Sequence, residues 1–140
     1  MSWDPYIASL MAATAKGAIV TSDAAICGIE SLTVWSATPG YKCISADEIQ
    51  MLIGPRNNFS SGGPKVAGIK TMLLVDKMDD DTAYSLNLKT MSDAEGLKYN
   101  LCVGKSNKAL IILKGVVGDV GGDLSTKVHY MVDYLKKRNM

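Results

Sequence analysis

The sequence predicts an α+β fold in which a helix near each end of the chain packs on a central antiparallel sheet. Apolar residues recur at helical spacing near both ends and in a short segment around residue 50. Between these segments lie short runs of strand-forming residues with short polar connections, a pattern typical of hairpins. No repeat or linker divides the 140 residues, so we expect one domain over residues 1–140.

The first helix is expected over residues 2–14. Ser2 can cap it, and Pro5 is tolerated in the first turn because the early N–H groups of a helix have no partner within it. An apolar stripe on this helix needs a surface to pack against. Its members are Ile7, Leu10 and Met11.

A hairpin and a second helix are expected next. Residues 23–30 and 33–37 are strand-like runs with a two-residue connection, and the second run carries Trp35. Ser45 and Glu48 then form a capping box, which predicts a helix start. The apolar face of this short helix contains Ile49, Leu52 and Ile53, and Gly54-Pro55 ends it.

The remaining strands are expected to form a meander. Four strand-like runs follow a polar loop at residues 57–64, and they cover residues 66–75, 83–89, 97–103 and 109–114. Because polar hairpin loops at residues 76–81 and 104–108 connect them, consecutive strands should be antiparallel neighbours. A final helix is expected after Gly122 and up to about Arg138, with core-spaced Val128, Met131, Val132 and Leu135.

Composition narrows the range of partners. Fifteen basic and 14 acidic residues give a net charge of +1, too small to attract nucleic acid by bulk charge, so no nucleic-acid partner is expected. The three cysteines, Cys27, Cys43 and Cys102, are widely spaced in apolar surroundings. That pattern favours buried thiols in a reducing compartment, and we interpret the protein as cytoplasmic.

The sequence contains no pattern typical of a catalytic or metal site. Its single histidine, His129, has no serine or cysteine motif to serve, so the protein is not expected to be an enzyme. Asp79, Asp80 and Asp81 are consecutive residues whose side chains point in different directions, which favours a solvated hairpin tip over a cation site. No metal and no cofactor are expected.

A glycine-rich loop after the last strand leaves one distant alternative, a nucleotide-binding enzyme. A strand, a glycine-rich turn and a helix can together hold phosphate on backbone N–H groups. The glycines at positions 115, 118, 121 and 122 do not match the dinucleotide-binding or Walker spacing. We therefore interpret them as a sharp turn that lets the last helix pack closely.

An unusual set of aromatic residues is the main functional signal. Trp3 and Tyr6 share one face of the first helix, Trp35 lies on an early strand, and Tyr134 lies near the chain end with Tyr130 one turn away. If the terminal helices lie side by side, these rings converge. Aromatic faces with indole N–H and phenol O–H donors suit a polyproline II ligand. The alternative is that the rings only cover the edge of the sheet.

These motifs resemble the profilin family over nearly the whole chain. The motifs that carry the resemblance are Ser2-Trp3-Asp4-x-Tyr6-Ile7, residues 23–28, Val34-Trp35-Ser36-Ala37, Pro39-Gly40, residues 48–54, residues 86–90, Tyr99-Asn100 and the glycines at 115, 118, 121 and 122. The resemblance implies that the terminal helices pack on one face of the sheet and the short helix on the other. It also implies an actin-monomer-binding regulator of the cytoskeleton.

The resemblance implies a site for proline-rich segments between the terminal helices. Its residues would be Trp3, Tyr6, Trp35, Tyr134 and Leu135. Vertebrate profilins generally end in an aromatic residue that lines this groove, whereas this chain ends in Asn139-Met140. A thioether would then replace the last stacking contact.

The resemblance also implies an actin face on the later strands and the start of the last helix. Its residues would be Lys70, Leu73, Lys89, Lys98, Asn100, Asp119, Ser125 and His129. Three polar or basic contacts of vertebrate profilins are replaced here by Val75, Val120 and Thr126, and such losses can reduce affinity by about 1.5 to 3 kcal/mol each. Phosphoinositide head groups would bind Lys89, Lys127, Lys136 and Lys137.

The expected function is that of a non-enzymatic cytoplasmic regulator of the cytoskeleton. Its expected partners are monomeric actin, proline-rich proteins such as formins, and phosphoinositide head groups. The alternative function is a divergent adaptor that keeps proline and lipid binding but holds actin weakly or not at all.

Overall fold

The computed structural model describes residues 4–12, 21–53, 65–77, 85–90, 99–116 and 122–139. Several sequence predictions concern residues outside these ranges. They are the predictions for Ser2 and Trp3, the 57–64 loop, Asp79 to Asp81, Lys98, Asp119 and Val120, most of the glycine loop, and Met140.

The described residues form three helices and seven strands. The helices are α1 (Asp4–Met11), α2 (Ala46–Ile53) and α3 (Gly122–Lys137), with a short 3-10 turn at Pro39–Tyr41. The strands are β1 (Thr21–Gly28), β2 (Val34–Ala37), β3 (Lys65–Val66), β4 (Ile69–Lys77), β5 (Ser85–Thr90), β6 (Asn100–Lys105) and β7 (Ala109–Gly115). The α1 helix ends earlier than expected, because Ala12 is already outside it.

The described strands join one antiparallel sheet in the order β2-β1-β7-β6-β5-β4-β3. The β1–β2 hairpin is confirmed, and so is the meander from β4 to β7, in which each strand pairs with the next. The first strand also pairs with the last, with Ile26 opposite Ile111. This long-range pairing brings the two ends of the chain to one region of the sheet.

The two faces of the sheet carry different helices. On β1, Ala24 and Ile26 belong to a core cluster with α1 and α3, whereas Ala25 and Cys27 belong to a second cluster with α2. This division follows from strand geometry, because successive side chains point to opposite faces. The predicted α+β architecture is therefore confirmed, with the terminal helices on one face and α2 on the other.

One predicted strand is wrong. The run expected to be continuous over residues 66–75 is a tight hairpin of β3 and β4. Ala67 has φ 52° and Gly68 has φ 81°, so both central residues adopt the left-handed conformation that two-residue hairpin turns require. Alanine is rarely found in that conformation, so the local sequence did not signal the turn.

Glu48 explains how this unusual turn is held. Its Oε1 accepts hydrogen bonds from the backbone N–H of Ser45 at 2.9 Å and of Ala67 at 3.2 Å, and its Oε2 accepts one from Gly68 at 2.7 Å. In return, Ser45 Oγ accepts a hydrogen bond from the Glu48 N–H at 3.2 Å. The predicted capping box is confirmed, and the same carboxylate fastens the β3–β4 turn to α2.

Other boundaries differ from the prediction by a few residues. The β4 strand continues through Lys77, so the loop expected at residues 76–81 begins later. The β6 strand begins at Asn100 and continues through Lys105, which leaves only Ser106 to Lys108 for the next turn. Ser106 stabilises that turn, because its Oγ accepts a hydrogen bond from the Ala109 N–H at 3.1 Å.

The cysteines only partly match the expectation. Cys27 and Cys102 are buried and free, as predicted, and burial raises the pKa of the Cys27 thiol to about 12. Cys43 is free but exposed, so the prediction that it is buried was wrong. Tyr41 and Ile44 lie close to it in the sequence and are buried, but Cys43 itself lies in the turn after Pro39–Tyr41, where its thiol reaches solvent.

Candidate functional site: the groove between the terminal helices

The α1 and α3 helices lie side by side on the sheet. The α1 helix is anchored by Ile7 and Leu10, which are buried in the same cluster as the apolar face of α3. Close packing of α3 depends on Gly104 in β6, because a Cβ there would overlap with Val128 and lie 2.8 Å from Val132. With their apolar faces buried, the two helices leave a groove on their outer side.

Six side chains line this groove, which has a volume of about 360 Å³. They are Pro5, Tyr6 and Ser9 from α1 and Tyr130, Met131 and Tyr134 from α3. The rings of Tyr6 and Tyr134 have centroids 5.9 Å apart and planes inclined by 58°. A hydrogen bond between their phenols is the main cause that raises the pKa of Tyr6 above its ordinary value. The groove therefore presents aromatic faces and hydroxyl groups without a charged side chain.

Arg138 fixes the position of Tyr134. Its guanidinium carbon lies 3.6 Å from the centroid of the Tyr134 ring, and its Nη1 donates a hydrogen bond to the Tyr134 carbonyl at 3.4 Å. Stacking of a cation on the ring restrains the tyrosine. The sequence analysis named Arg138 only as the approximate end of the last helix and missed this role.

Trp35 lies near the groove but does not line it. It is half-buried on β2 and packs against the cluster beneath α1 and α3. Gly28 makes room for it, because a Cβ at Gly28 would lie 2.7 Å from the indole. Leu135 is 1% exposed and supports the groove from below. Of the residues predicted to bind proline, the structure thus brings Tyr6 and Tyr134 together, and Trp3 lies outside the described residues.

A second group of predicted residues lies on β4, β5 and β6. Lys89 is directly opposite Met72 on one side and Asn100 on the other, so the three side chains form a row across the sheet. Because the neighbouring Leu88 and Leu101 face α2, this row lies on the same face as α3. Met72 is 42% exposed and was not among the predicted residues. We call Met72, Lys89 and Asn100 the cross-strand row.

Other residues of the predicted actin face are distributed over β4 and α3. Lys70 is exposed at the start of β4, and His129 is exposed on α3. Leu73 and Val75 lie in β4, and Ser125 lies in the first turn of α3. The replacement Thr126 is exposed on α3.

Comparison with known proteins identifies the family. The model of the family described as Profilin matches residues 1–140. The chain belongs to the profilin family. Human profilin-1 is 33% identical over 139 residues, with 96% of each chain covered. Both the predicted resemblance and its extent are confirmed.

Solved profilins share the architecture. Mouse profilin IIa, solved in complex with a double repeat from the FH1 domain of mDia1, superposes on this chain with a TM-score of 0.89. The two sequences are 28% identical, and the superposition covers 100% of both chains. LokiProfilin1, solved in complex with rabbit actin, has a TM-score of 0.58 and 11% identity over 85% of each chain. The second likeness shows only that the fold is shared.

The lysines predicted to bind phosphoinositides are spread over this profilin. Lys127 donates a hydrogen bond from Nζ to the Ala12 carbonyl at the end of α1, at 2.7 Å, and burial lowers its pKa. Lys137 pairs with Asp133 at 3.0 Å on the exposed side of α3. Lys136 is half-buried beside it, and Lys89 lies in the cross-strand row. The structure therefore brings only Lys136 and Lys137 near each other.

The described part of this profilin has neither a metal-binding cluster nor a membrane-spanning helix. Within it, no three His, Cys, Asp or Glu side chains gather closely enough to hold a metal ion. None of its described helices has the length and apolar content that crossing a bilayer requires.

The sequence contained a signal for Tyr130 and Arg138, which were not among the predicted proline-binding residues. Tyr130, Tyr134 and Arg138 follow one another at four-residue intervals, which places them along one face of α3. The α1 side, formed by Pro5 and Ser9, had no comparable signal. Which side of α1 faces α3 depends on tertiary packing, which the local pattern does not determine.

Proposed function

We propose that this profilin binds proline-rich segments in the groove between α1 and α3. The observation that carries the proposal is the pair of Tyr6 and Tyr134, whose rings meet 5.9 Å apart in an uncharged groove. A polyproline II helix offers flat pyrrolidine rings that stack on aromatic faces and free carbonyls that accept hydrogen bonds. The solved complex of mouse profilin IIa with an FH1 double repeat supports this assignment. Trp3, Trp35 and Leu135 complete the proposed site.

We also propose that it binds monomeric actin through the cross-strand row and its surroundings. Membership of the profilin family supports this function, as does the chemistry of the surface. The exposed apolar side chain of Met72 lies directly opposite the cation of Lys89 and on the same face of β4 as Lys70. An apolar centre with polar surroundings is the usual composition of a protein interface. The other proposed contacts are Leu73, Lys98, Asn100, Asp119, Ser125 and His129.

The two proposed surfaces make this profilin a cytoplasmic adaptor without catalytic activity of its own. The groove lies on the outer side of α1 and α3, whereas the cross-strand row lies on β4 to β6. A proline-rich tether of a formin would hold bound actin near a growing filament and raise its local concentration. Phosphoinositide head groups would bind at Lys136 and Lys137, with Lys89 and Lys127 as further contacts.

A second candidate function is a proline-binding adaptor that holds actin weakly. The observation that favours it is the exposed Thr126 on α3, where vertebrate profilins tend to carry a lysine. The replacements Val75 and Val120 point the same way. Under this alternative the groove would keep its role and the cross-strand row would not.

Calorimetry with matched variants tests these proposals. Monomeric actin is titrated into the protein with and without a saturating proline-rich peptide. We expect Tyr134→Ala to weaken peptide binding by about tenfold or more and to leave actin binding unchanged, since truncating an interface aromatic commonly costs more than about 1.4 kcal/mol. Lys89→Glu should have the opposite effect.

Each outcome selects one proposal. Actin binding that persists with peptide bound supports the two-surface adaptor. Peptide binding without actin binding selects the alternative adaptor. No heat with the peptide, under conditions where actin binds, would refute the proposed use of the groove.

A further inference from the structure

Tyr130 is the most exposed large hydrophobic side chain among the residues that the structure describes, with 71% of its surface accessible. The other two such side chains, Ile69 and Met72, lie on β4, which β6 and β5 separate from β7 in the sheet. A single exposed tyrosine needs no special explanation. Tyr130 is different because it lines the same groove as Tyr6 and Tyr134.

The position of Tyr130 extends the groove in one direction. Tyr130 and Tyr134 are four residues apart on α3, which corresponds to about 6 Å along the helix axis. A polyproline II helix rises about 3.1 Å per residue, so this separation equals about two ligand residues. A ligand that contacts Tyr134 and runs along α3 towards its first turn therefore reaches Tyr130 about two residues later.

The composition of this extension determines which ligand it fits. Ser9 and Pro5 line the α1 side, Tyr130 and Met131 line the α3 side, and none of the four carries a charge. An acidic or phosphorylated segment would find no cation in this lining. An uncharged chain with free carbonyls could stack on the Tyr130 ring and accept hydrogen bonds from the Tyr130 phenol and the Ser9 hydroxyl.

We propose that Tyr130 and Ser9 form an additional subsite that binds the continuation of a proline-rich segment, beyond the residues held at Tyr6 and Tyr134. The inference rests on the proposed proline binding in the same groove. It assigns the subsite a ligand, about two further residues of one polyproline II helix. It also predicts that Tyr130 contributes to the binding of long proline runs and not of short ones.

Two peptides of different length test the subsite. One contains about six prolines and the other about ten, and the four extra residues, about 12 Å long, exceed the distance of about 6 Å from Tyr134 to Tyr130. Calorimetric titrations are compared for the wild-type protein, Tyr130→Ala and Tyr130→Phe. Gln50→Ala is a matched control, because Gln50 is also exposed on a helix but lies on α2, on the other face of the sheet. Thermal unfolding of each variant checks that the fold is intact.

We expect Tyr130→Ala to bind the longer peptide about tenfold more weakly and the shorter peptide within about twofold of the wild type. Tyr130→Phe should keep most of the affinity for the longer peptide if ring stacking is the main contribution. Equal affinities of wild type and Tyr130→Ala for the longer peptide would overturn the subsite. So would an equal loss for both peptides, which would make Tyr130 part of the main site.

Two further results distinguish the subsite from a contact between copies of the chain and from a groove that binds no proline. If Tyr130→Ala alters the sedimentation mass of the free protein, the exposed ring belongs to a contact between copies and the subsite is wrong. If the wild-type protein binds neither peptide, the proposed function fails and the subsite fails with it. Binding of the shorter peptide alone leaves the proposed function standing and refutes the subsite.

Discussion

At the scale of single residues, the groove depends on how two tyrosines and an arginine fix one another. Tyr134 contacts Tyr6 through ring packing and a phenol hydrogen bond, and the Arg138 guanidinium stacks on it. Each contact restricts the rotamers of an amphipathic side chain before a ligand arrives. A site whose aromatic rings are already in place loses less conformational entropy on binding.

The pKa of Tyr6 offers a direct test of this pair. The hydrogen bond to Tyr134 favours the neutral phenol of Tyr6, so Tyr6 should ionise at a higher pH than an ordinary tyrosine. Tyr134→Phe removes that partner, and we expect the Tyr6 pKa to return towards 10.0. The absorbance of tyrosinate during an alkaline titration measures the change. Tyr130→Phe, which removes a different groove hydroxyl, is the control, and an equal effect of both variants would contradict the proposed pairing.

At the scale of elements, one lysine joins the two helices that form the groove. The last carbonyls of a helix have no partner within it, and Lys127 of α3 supplies one to Ala12 at the end of α1. A cation at this end also interacts favourably with the helix dipole. The Lys127 ammonium group therefore already donates a hydrogen bond within the protein. We assign Lys127 to the residues that orient α1.

Lys127→Met should loosen α1 without unfolding the protein. We expect a loss of about 0.5 to 1 kcal/mol in the free energy of unfolding, the usual size of a charge effect at a helix end. Amide hydrogen exchange in α1 should become faster, while exchange in α2 stays the same. Lys137→Met is the matched control, because Lys137 pairs with Asp133 of its own helix, on the exposed side of α3. Faster exchange in both variants would contradict a specific role for Lys127.

The contacts of Glu48 provide a second test at this scale. Glu48→Ala removes three hydrogen bonds to backbone N–H groups, so we expect a loss of about 1 to 3 kcal/mol in the free energy of unfolding. Asp47→Ala, in the same first turn, should cost about 0.3 to 1 kcal/mol through the helix dipole alone. Hydrogen exchange at Ala67 and Gly68 distinguishes the two. Unchanged exchange at both amides in Glu48→Ala would refute the role of this carboxylate.

These elements also show what the sequence can and cannot predict. The capping box of Ser45 and Glu48 was predictable because both partners lie within one turn. The β3–β4 turn was not, because Glu48, which accepts a hydrogen bond from the N–H of the left-handed Ala67, is 19 residues away in the sequence. The aromatic residues of the groove could be predicted from the sequence. Pro5 and Ser9 could not, because their position in the groove depends on how two distant helices pack.

At the scale of the whole molecule, the sheet separates two apolar layers. Cys27 lies in the layer beneath α2, and Cys102 lies in the layer beneath α1 and α3. Both thiols are buried, whereas Cys43 is exposed. The cysteines can therefore report separately on each layer and on the surface.

We expect a thiol reagent to modify Cys43 rapidly in the native protein and the other two cysteines only on unfolding. Burial raises the pKa of Cys27 to about 12, so almost none of it is the reactive thiolate near neutral pH. If the two layers unfold as one cooperative unit, Cys27 and Cys102 should react at the same denaturant concentration. Mass spectrometry of quenched samples measures each site. Earlier modification of Cys102 would show that the layer with the terminal helices opens first.

Pairing of the first strand with the last has a practical consequence for experiments on this profilin. It places α1 and α3 side by side, so Asp4 and Asn139, at the two ends of the described chain, belong to the segments that border the groove. A fluorescent protein or affinity tag fused at either terminus would crowd a docking peptide and lower its apparent affinity. A small dye on the exposed Cys43 would sit near α2, across the sheet from the groove, and would leave the peptide free to bind.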